Sequence, residues 1–500
     1  MSMIMVYIIN LISLFSNSIF IENYLHIYQL RDYNTKRYLK FFSKNRIFYY
    51  IFCVILLIIQ LFFKNLLTLL SINLIMIVIS SLYHFSFNSN KTPLKYTKKI
   101  VRIYVISVFI MLALSPLKFY PTLSNVLLIF VPIIANFINP YDKIKNFQYI
   151  KSASEKVKLS SLKIIAITGS NGKTSVKNIL YEFLKIKYKV LVTPKSYNTP
   201  LGIAKFINES DLSKYDYLIL EYGARHRGDI KKLCKTYGAN YGIITLVAPQ
   251  HLESFHTIEN VFRAKSELSE FLKTDLCIYN LDNLYTYRMY CKKATLKIGT
   301  SIYSRADIFA SNIQIKNLKT YFKLHIKNQI YELHTDLLGR HNVTNILLAF
   351  ALAYNLNVEV DSLLDCVKNL KFIPHRLELI KNRINILDDS YNCSLASAKE
   401  SLYVLKQLKN QKMIVTPGII EGGKNEFNIN YKLGQMCSRF DFLIIVGKHN
   451  RNAIIKGAKS KNSKCKIILA SSLDDASKYF RLLNDDDNLL LLNDLPDDYN

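Results

Sequence analysis

No two cysteines in this chain stand at C-x-x-C spacing, although Cys53, Cys234, Cys277, Cys291, Cys366, Cys393, Cys437 and Cys465 make eight in all. The missing spacing excludes a thioredoxin-like redox pair and a zinc ribbon, and the scatter reads as reduced, mostly buried thiols. Tryptophan is absent, the aromatics being 34 Tyr and 28 Phe, and glycine and proline number only 15 and 11 in 500 residues. Scarce glycine rules out a collagen-like repeat. A long chain that is half hydrophobic and only 21% charged is neither disordered nor a disulfide-stapled miniprotein. Carboxylates are also short: 37 Asp and Glu face 66 Lys and Arg, for a formal charge of +29. That excess is spread along the whole length rather than gathered in a patch, so no nucleic acid partner is expected.

What is abundant is apolar sequence near the N-terminus. Met1–Phe20 holds no charge, and Ile47–Phe63, Leu66–Tyr83, Ile103–Leu114 and Phe119–Ile138 are dominated by Ile, Leu, Val and Phe. Runs near about 18 residues are long enough to cross roughly 30 Å of hydrocarbon. Basic residues cluster at Arg31–Arg46 and Lys91–Arg102, while Lys64 and Lys118 stand alone in short connections. By the positive-inside rule this predicts about five transmembrane helices over 1–140, with the N-terminus outside and all that follows in the cytoplasm. The expectation is a multi-pass protein of the inner membrane, with a cytoplasmic linker over 141–162.

From Leu162 onward short β-rich runs alternate with helical stretches. The runs are Leu162–Thr168, Val190–Thr193, Tyr217–Glu221, Gly242–Val247 and Leu276–Asn280, with helices expected over Lys173–Lys187 and Ile258–Leu272. This alternation implies an α/β fold with a mostly parallel sheet covered on both faces. Ile302–Thr335 breaks the rhythm with the alternation of antiparallel strands, and a second series of strands runs from Ile384 to Leu492. Two α/β domains are therefore expected: a P-loop parallel-sheet ATPase domain over 163–373 and a Rossmann-like C-terminal domain over 374–500.

The sharpest motif is a hydrophobic strand running into Thr168, Gly169, Ser170, Asn171, Gly172, Lys173, Thr174 and Ser175, with a helix to follow. Glycines let the backbone turn its N–H groups toward phosphate oxygens, and the helix N-terminus adds its positive end. Lys173 is placed to reach the β- and γ-phosphates of ATP, and the Thr174 hydroxyl to ligate Mg²⁺. The usual first glycine of a P-loop is Ile167 here, so the form is the shorter T-G-x-N-G-K-T. Glu221 ends the apolar run Tyr217–Glu221, at the sheet edge where carboxylates reach a metal. His251 and Lys265 stand in Ala248–Phe255 and Arg263–Glu267. Read alone, the former suits a structural histidine and the latter a solvated lysine as well as a site residue.

Taken together these motifs resemble the Mur ligases, ATP-dependent amide-bond-forming enzymes of peptidoglycan synthesis. The resemblance runs from about Lys163 to the C-terminus. It rests on Thr168–Ser175, Glu221–Ile230, Ala248–Phe255, Arg263–Glu267, Gly339–Asn345, His375–Glu378, Asp388–Asn392 and Asn493–Asp498, in that order. It implies that Gly169–Ser175 bind phosphate, that Thr174 holds a first Mg²⁺, and that Glu221 and His251 serve a second. Lys265 matches the family's carbamylated lysine. Asn345 matches a contact to adenine, Arg376 the arginine brought to the γ-phosphate, and Asp389 an acid that approaches the nucleotide. Lys173, His251, Lys265 and Arg376 form the expected catalytic set, with Tyr391 and Asn392 beside the incoming amine.

The reaction that the resemblance implies is addition of D-Ala-D-Ala to UDP-MurNAc-tripeptide through an acyl phosphate. Other enzymes of cell-wall synthesis are candidate partners. One departure stands out, since a soluble UDP-sugar-binding domain ordinarily precedes the P-loop in this family. Two other readings remain at this stage: a Mur-type amino-acid ligase acting on a different or lipid-linked acceptor, and a non-catalytic membrane scaffold.

Overall fold

A computed structural model describes residues 2–494 apart from 32, 34, 36–37, 42–46, 63–70, 73, 76, 80–93, 118–122, 125, 128–138, 195–196, 251, 273–274, 294–295, 392, 421–424 and 462–463. It divides into two units, Met1–Lys145 and Asn146–Leu495.

In the N-terminal unit, helices Ser2–Leu30 and Lys98–Leu114 enclose a small core of Ile21, Tyr24, Leu25, Tyr28, Tyr38, Ile100, Ile103 and Met111. The long helix also buries amides. Asn10 Nδ2 donates to the carbonyls of Ser115 and Leu117 at 2.7 and 2.9 Å, and Asn17 Nδ2 to Ser124 Oγ at 2.6 Å.

The expected multi-pass membrane domain is corrected here: among the described residues no helix is long and apolar enough to cross a membrane. Helix Lys98–Leu114 is 17 residues long, so it reaches only about 26 Å, short of a bilayer's hydrocarbon. Helix Ser2–Leu30 has the length, but Asn10, Ser13, Asn17, Glu22, Asn23 and His26 interrupt its apolar run. With the spans go the inner-membrane localisation and the orientation inferred from them. The expected spans Leu66–Tyr83 and Phe119–Ile138 fall largely outside the described residues. The stretch expected as a linker is helical from Asn139 to Leu159. Its Ala153 and Val157 lie in the core of the second unit.

That second unit holds two sheets. The first is built from β1 (Lys163–Thr168), β2 (Val190–Val192), β3 (Tyr217–Glu221), β4 (Tyr241–Ile244), β5 (Cys277–Asn280), β6 (Lys297–Ser301), β7 (Ile308–Lys316), β8 (Lys319–Ile326) and β9 (Gln329–Thr335). Their order is β2-β3-β1-β4-β5-β6-β7-β8-β9. Pairing is parallel from β2 to β7 and antiparallel from there to β9.

The central strands are apolar on both sides because both sides are covered. Ile165 and Ile167 of β1 pack into a core with helices Lys173–Leu184 and Arg340–Asn355. Ile164 and Ala166 face the other way, toward helices Pro200–Glu209, Asp229–Tyr237 and Ile258–Phe271. In β8 only alternate residues are buried, Phe322, Leu324 and Ile326 among them, as suits an antiparallel strand with one wet face.

The second sheet comprises β10 (Glu378–Lys381), β11 (Asn385–Asp389), β12 (Lys412–Thr416), β13 (Phe442–Val446), β14 (Lys466–Ala470) and β15 (Asn488–Leu492). Its order is β10-β11-β15-β12-β13-β14, parallel except for β10. Helices Leu395–Gln407, Glu426–Cys437 and Arg451–Lys459 pack on one face around Leu402, Leu405, Leu433 and Ile454. The last two of these helices cross at glycines. A Cβ on Gly434 would collide with the carbonyl oxygen of Ile454, and one on Gly457 with that of Tyr431. Backbone cannot yield as a side chain can, so Gly457→Ala is expected to cost about 1–3 kcal/mol, read as a lowered Tm in thermal denaturation.

Candidate functional site

β1 and β3 are neighbours with Ile167 opposite Glu221, which brings the phosphate loop and the carboxylate to the same sheet edge. The loop leaves β1 through Gly169 at φ +148° and enters the helix through Gly172 at φ +83°, conformations that side-chain-bearing residues rarely adopt. Space is equally tight: a Cβ on Gly169 would collide with Thr245 Oγ1, and one on Gly172 would lie 2.7 Å from Asn345 Oδ1. The segment after β4 pins the loop, since Ser170 N donates to Leu246 O at 2.8 Å, Ser170 Oγ to Ala248 O at 3.0 Å and Thr245 Oγ1 to Asn171 O at 2.5 Å.

Lys173 folds back across this loop, its Nζ donating to the carbonyls of Gly169 and Ser170 at 2.7 and 3.3 Å. Desolvation pulls its pKa down to about 8, with the nearby Arg376 cation pushing the same way and Glu221 opposing. Thr174 Oγ1 donates to Glu221 Oε2 at 3.1 Å. The other oxygen, Glu221 Oε1, pairs with Lys177 Nζ at 2.9 Å. Ser175 is buried just beyond.

Lys265, on helix Ile258–Phe271, is buried. Burial, and then the cation of Lys173, hold its pKa well below the ordinary lysine value. Asn345 lies buried on helix Arg340–Asn355, its amide against the loop at Gly172.

The second sheet contributes from the opposite side. Arg376 donates from NH2 to Thr174 Oγ1 at 3.2 Å and lies over the Tyr391 ring, 4.4 Å from its centroid. Burial lowers its pKa. Its loop is held by His375, whose Nδ1 is 2.7 Å from Asp388 Oδ2 and whose N–H donates to Glu378 Oε2 at 3.1 Å. Asp389 accepts from Ser401 Oγ at 2.5 Å. Desolvation pushes its pKa up to about 6 against the pull of Ser401 and Arg376. A second tie joins the phosphate loop to the start of helix Leu395–Gln407, Asn171 Nδ2 donating to Ser394 Oγ at 2.9 Å.

Thus Lys173, Thr174, Glu221, Lys265, Asn345, Arg376 and Asp389 are gathered around one loop. His251 and Asn392 lie outside the described residues. Lys177, Thr245, Ser394 and Ser401 escaped the sequence reading. Only Lys177 had a signal, standing four residues after Lys173 and so on the same helix face.

A model of the Mur ligase middle domain matches residues 167–353. The UDP-N-acetylmuramoyl-tripeptide–D-alanyl-D-alanine ligase of Buchnera aphidicola subsp. Baizongia pistaciae is 31% identical over 326 residues, 61% of this chain and 71% of that protein. The chain belongs to the Mur ligase family. The enzyme of the same name from Escherichia coli K12 is 28% identical over 58% of this chain and 65% of its own length, just under two thirds. Among solved structures, MurF from Acinetobacter baumannii superposes with a TM-score of 0.63 at 23% identity, covering 70% of this chain and 77% of that one. The MurF ligase of Thermotoga maritima, solved with ADP, gives 0.62 at 23% identity over 70% and 80%. These two establish the Mur ligase fold.

The low value at Lys173 sets a pH dependence. Below about 8 the side chain is a cation that attracts phosphate; above it, the attraction is lost. ADP affinity measured by calorimetry is expected to fall between about pH 7 and pH 9, one unit below and above that value. In Lys173→Met this part of the fall disappears. For folding the sign is opposite. An unfolded lysine near 10.5 holds more protons across the interval from about 8, so this group's contribution to stability rises with pH there.

Proposed function

We propose that this chain joins D-alanyl-D-alanine to UDP-N-acetylmuramoyl-tripeptide at the expense of ATP, releasing ADP and phosphate. The observation that carries the reading is the meeting of Thr174, Glu221 and Arg376, which puts a phosphate loop, a buried carboxylate and a guanidinium from a second domain within hydrogen-bond reach. The names of its Buchnera and Escherichia relatives support the choice of substrates.

The γ-phosphoryl group of ATP passes to the terminal carboxylate of the tripeptide, giving an acyl phosphate and ADP. The amine of D-Ala-D-Ala then attacks the acyl carbon, and the tetrahedral species collapses to amide and phosphate. The N–H groups of Gly169–Ser175 cradle the phosphates. Lys173 exchanges its carbonyl contacts for phosphate oxygens, and Arg376 faces the γ-phosphoryl group, so both oppose the charge that gathers there. Asn345 lies on the adenine side, and Asp389 approaches the nucleotide beside Arg376. The ties Asn171–Ser394 and Arg376–Thr174 hold the second domain over the loop and exclude water from a hydrolysable intermediate.

The donors fit Mg²⁺, which prefers oxygen: Thr174 Oγ1 and Glu221 Oε2 lie 3.1 Å apart. Bound there, the ion would supply Lewis-acid neutralisation of phosphate charge. As an ammonium, Lys265 does not fit. Its lowered pKa favours the neutral amine that adds CO₂, and the resulting carbamate is a carboxylate-like oxygen donor. We assign Lys265 that modification, with two magnesium ions at the site and His251 as a further candidate ligand.

The full chain, supplied with ATP, UDP-MurNAc-tripeptide and D-Ala-D-Ala, is expected to yield the pentapeptide by mass, with phosphate release that needs both substrates. Product with another amino acid and none with D-Ala-D-Ala would reassign it to a different Mur-type ligase. Arg376→Ala is expected to lower kcat by roughly 10²–10³-fold, the scale of losing one donor to developing charge. Protein equilibrated with ¹³C-bicarbonate is expected to show a carbamate resonance that is lost in Lys265→Arg.

A further inference from the structure

Lys177 is 1% exposed, yet it is not packed as an apolar stem with its head in water. Its ammonium pairs with Glu221 Oε1 at 2.9 Å, and the glutamate side chain is 1% exposed as well. The same Nζ donates to the carbonyl of Thr193, just past β2, at 2.8 Å. Three segments therefore meet at this nitrogen: the phosphate-loop helix, the end of β2 and the end of β3. A buried ion pair is a poor device for stability, since desolvation consumes most of the attraction and an apolar pair of equal volume often serves better.

The division of the carboxylate is informative. Oε1 belongs to Lys177, whereas Oε2 faces the Thr174 hydroxyl at 3.1 Å. Oε1 is buried and makes no hydrogen bond besides its ion pair with Lys177, so the ammonium is what draws that oxygen away from the phosphate loop while Thr174 holds the other. One fixed oxygen beside a threonine hydroxyl is what a small cation with strict octahedral demands requires. Lys177 also stands one helical turn from Lys173, so the helix that presents the loop to phosphate fixes the carboxylate too.

We propose that Lys177 is a positioning residue that acts through Glu221, fixing its Oε1 so that Oε2 alone is offered with Thr174 to a divalent cation. The inference rests on the nucleotide-and-metal reading above, but not on the identity of the peptide substrate. Its test is accordingly a binding measurement: Mn²⁺ titrated into the full chain with ADP, followed by the loss of the free-ion EPR signal.

Lys177→Met, which keeps the stem's volume, is expected to weaken Mn²⁺ binding at least tenfold. In a Glu221→Gln background the same substitution is expected to change it little, because the effect passes through the carboxylate. Lys177→Gln, which keeps a donor to Glu221, is expected to fall between wild type and Lys177→Met. It carries the test should the methionine variant fail to fold. Wild-type Mn²⁺ affinity in a folded Lys177 variant with a lowered Tm would overturn the proposal and leave a structural pair only. An equal loss in the Glu221→Gln background would overturn it too. Failure of the substrate assignment would appear separately, as intact Mn²⁺ and ADP binding without pentapeptide.

Discussion

One hydroxyl joins the three parts of this site. Thr174 Oγ1 donates to Glu221 and accepts from Arg376, so the phosphate-loop helix, the end of β3 and the loop leading into the second sheet are all referred to a single atom. None of the three could be displaced without breaking a hydrogen bond in a poorly solvated place, where an unmade bond costs about 1–3 kcal/mol. The parallel register of β1 and β3 makes this possible: with Ile167 opposite Glu221, the strand that ends in the loop and the strand that ends in the carboxylate finish level. The second sheet then needs only Arg376, and Ser394 against Asn171, to be set against the loop.

Much of this was legible in the sequence because it is local. The strand–loop–helix over Lys163–Leu184 follows from an apolar run, two glycines with a lysine after them, and a helical stretch. The strand Tyr217–Glu221 follows from four apolar or aromatic residues before a carboxylate. The switch to alternation after Ile302 marks the antiparallel strands β7–β9. What could not be read is what depends on residues far apart in the chain. A lysine on an amphipathic helix is by default solvated, and nothing near Lys177 says that Thr193 and Glu221 will meet it. Ser401 looks like an ordinary helix-surface serine until β11 sets Asp389 beside it.

The N-terminal apolar runs misled for a related reason. Hydropathy counts residues without knowing where a helix stops or what its polar members bind. Helix Lys98–Leu114 stops after 17 residues, and Asn10 and Asn17 are spent on tertiary hydrogen bonds.

The electrostatics give the site its direction. Lys173, Lys177 and Arg376 are gathered against the carboxylates of Glu221 and Asp389 in a place with little water. Lys173 is lowered partly by Arg376, and Lys265 partly by Lys173, which is mutual repulsion as well as desolvation. Asp389 is pushed up to about 6 by its own burial, which weakens one of the few anions available to balance them. Such an arrangement is costly on its own terms, and the apolar cores packed against the two sheets offset that cost. A polyphosphate suits Lys173 and Arg376, because its oxygens answer charges already in position. Glu221, set against Lys177 and Thr174, is the buried anion that partly balances these cations.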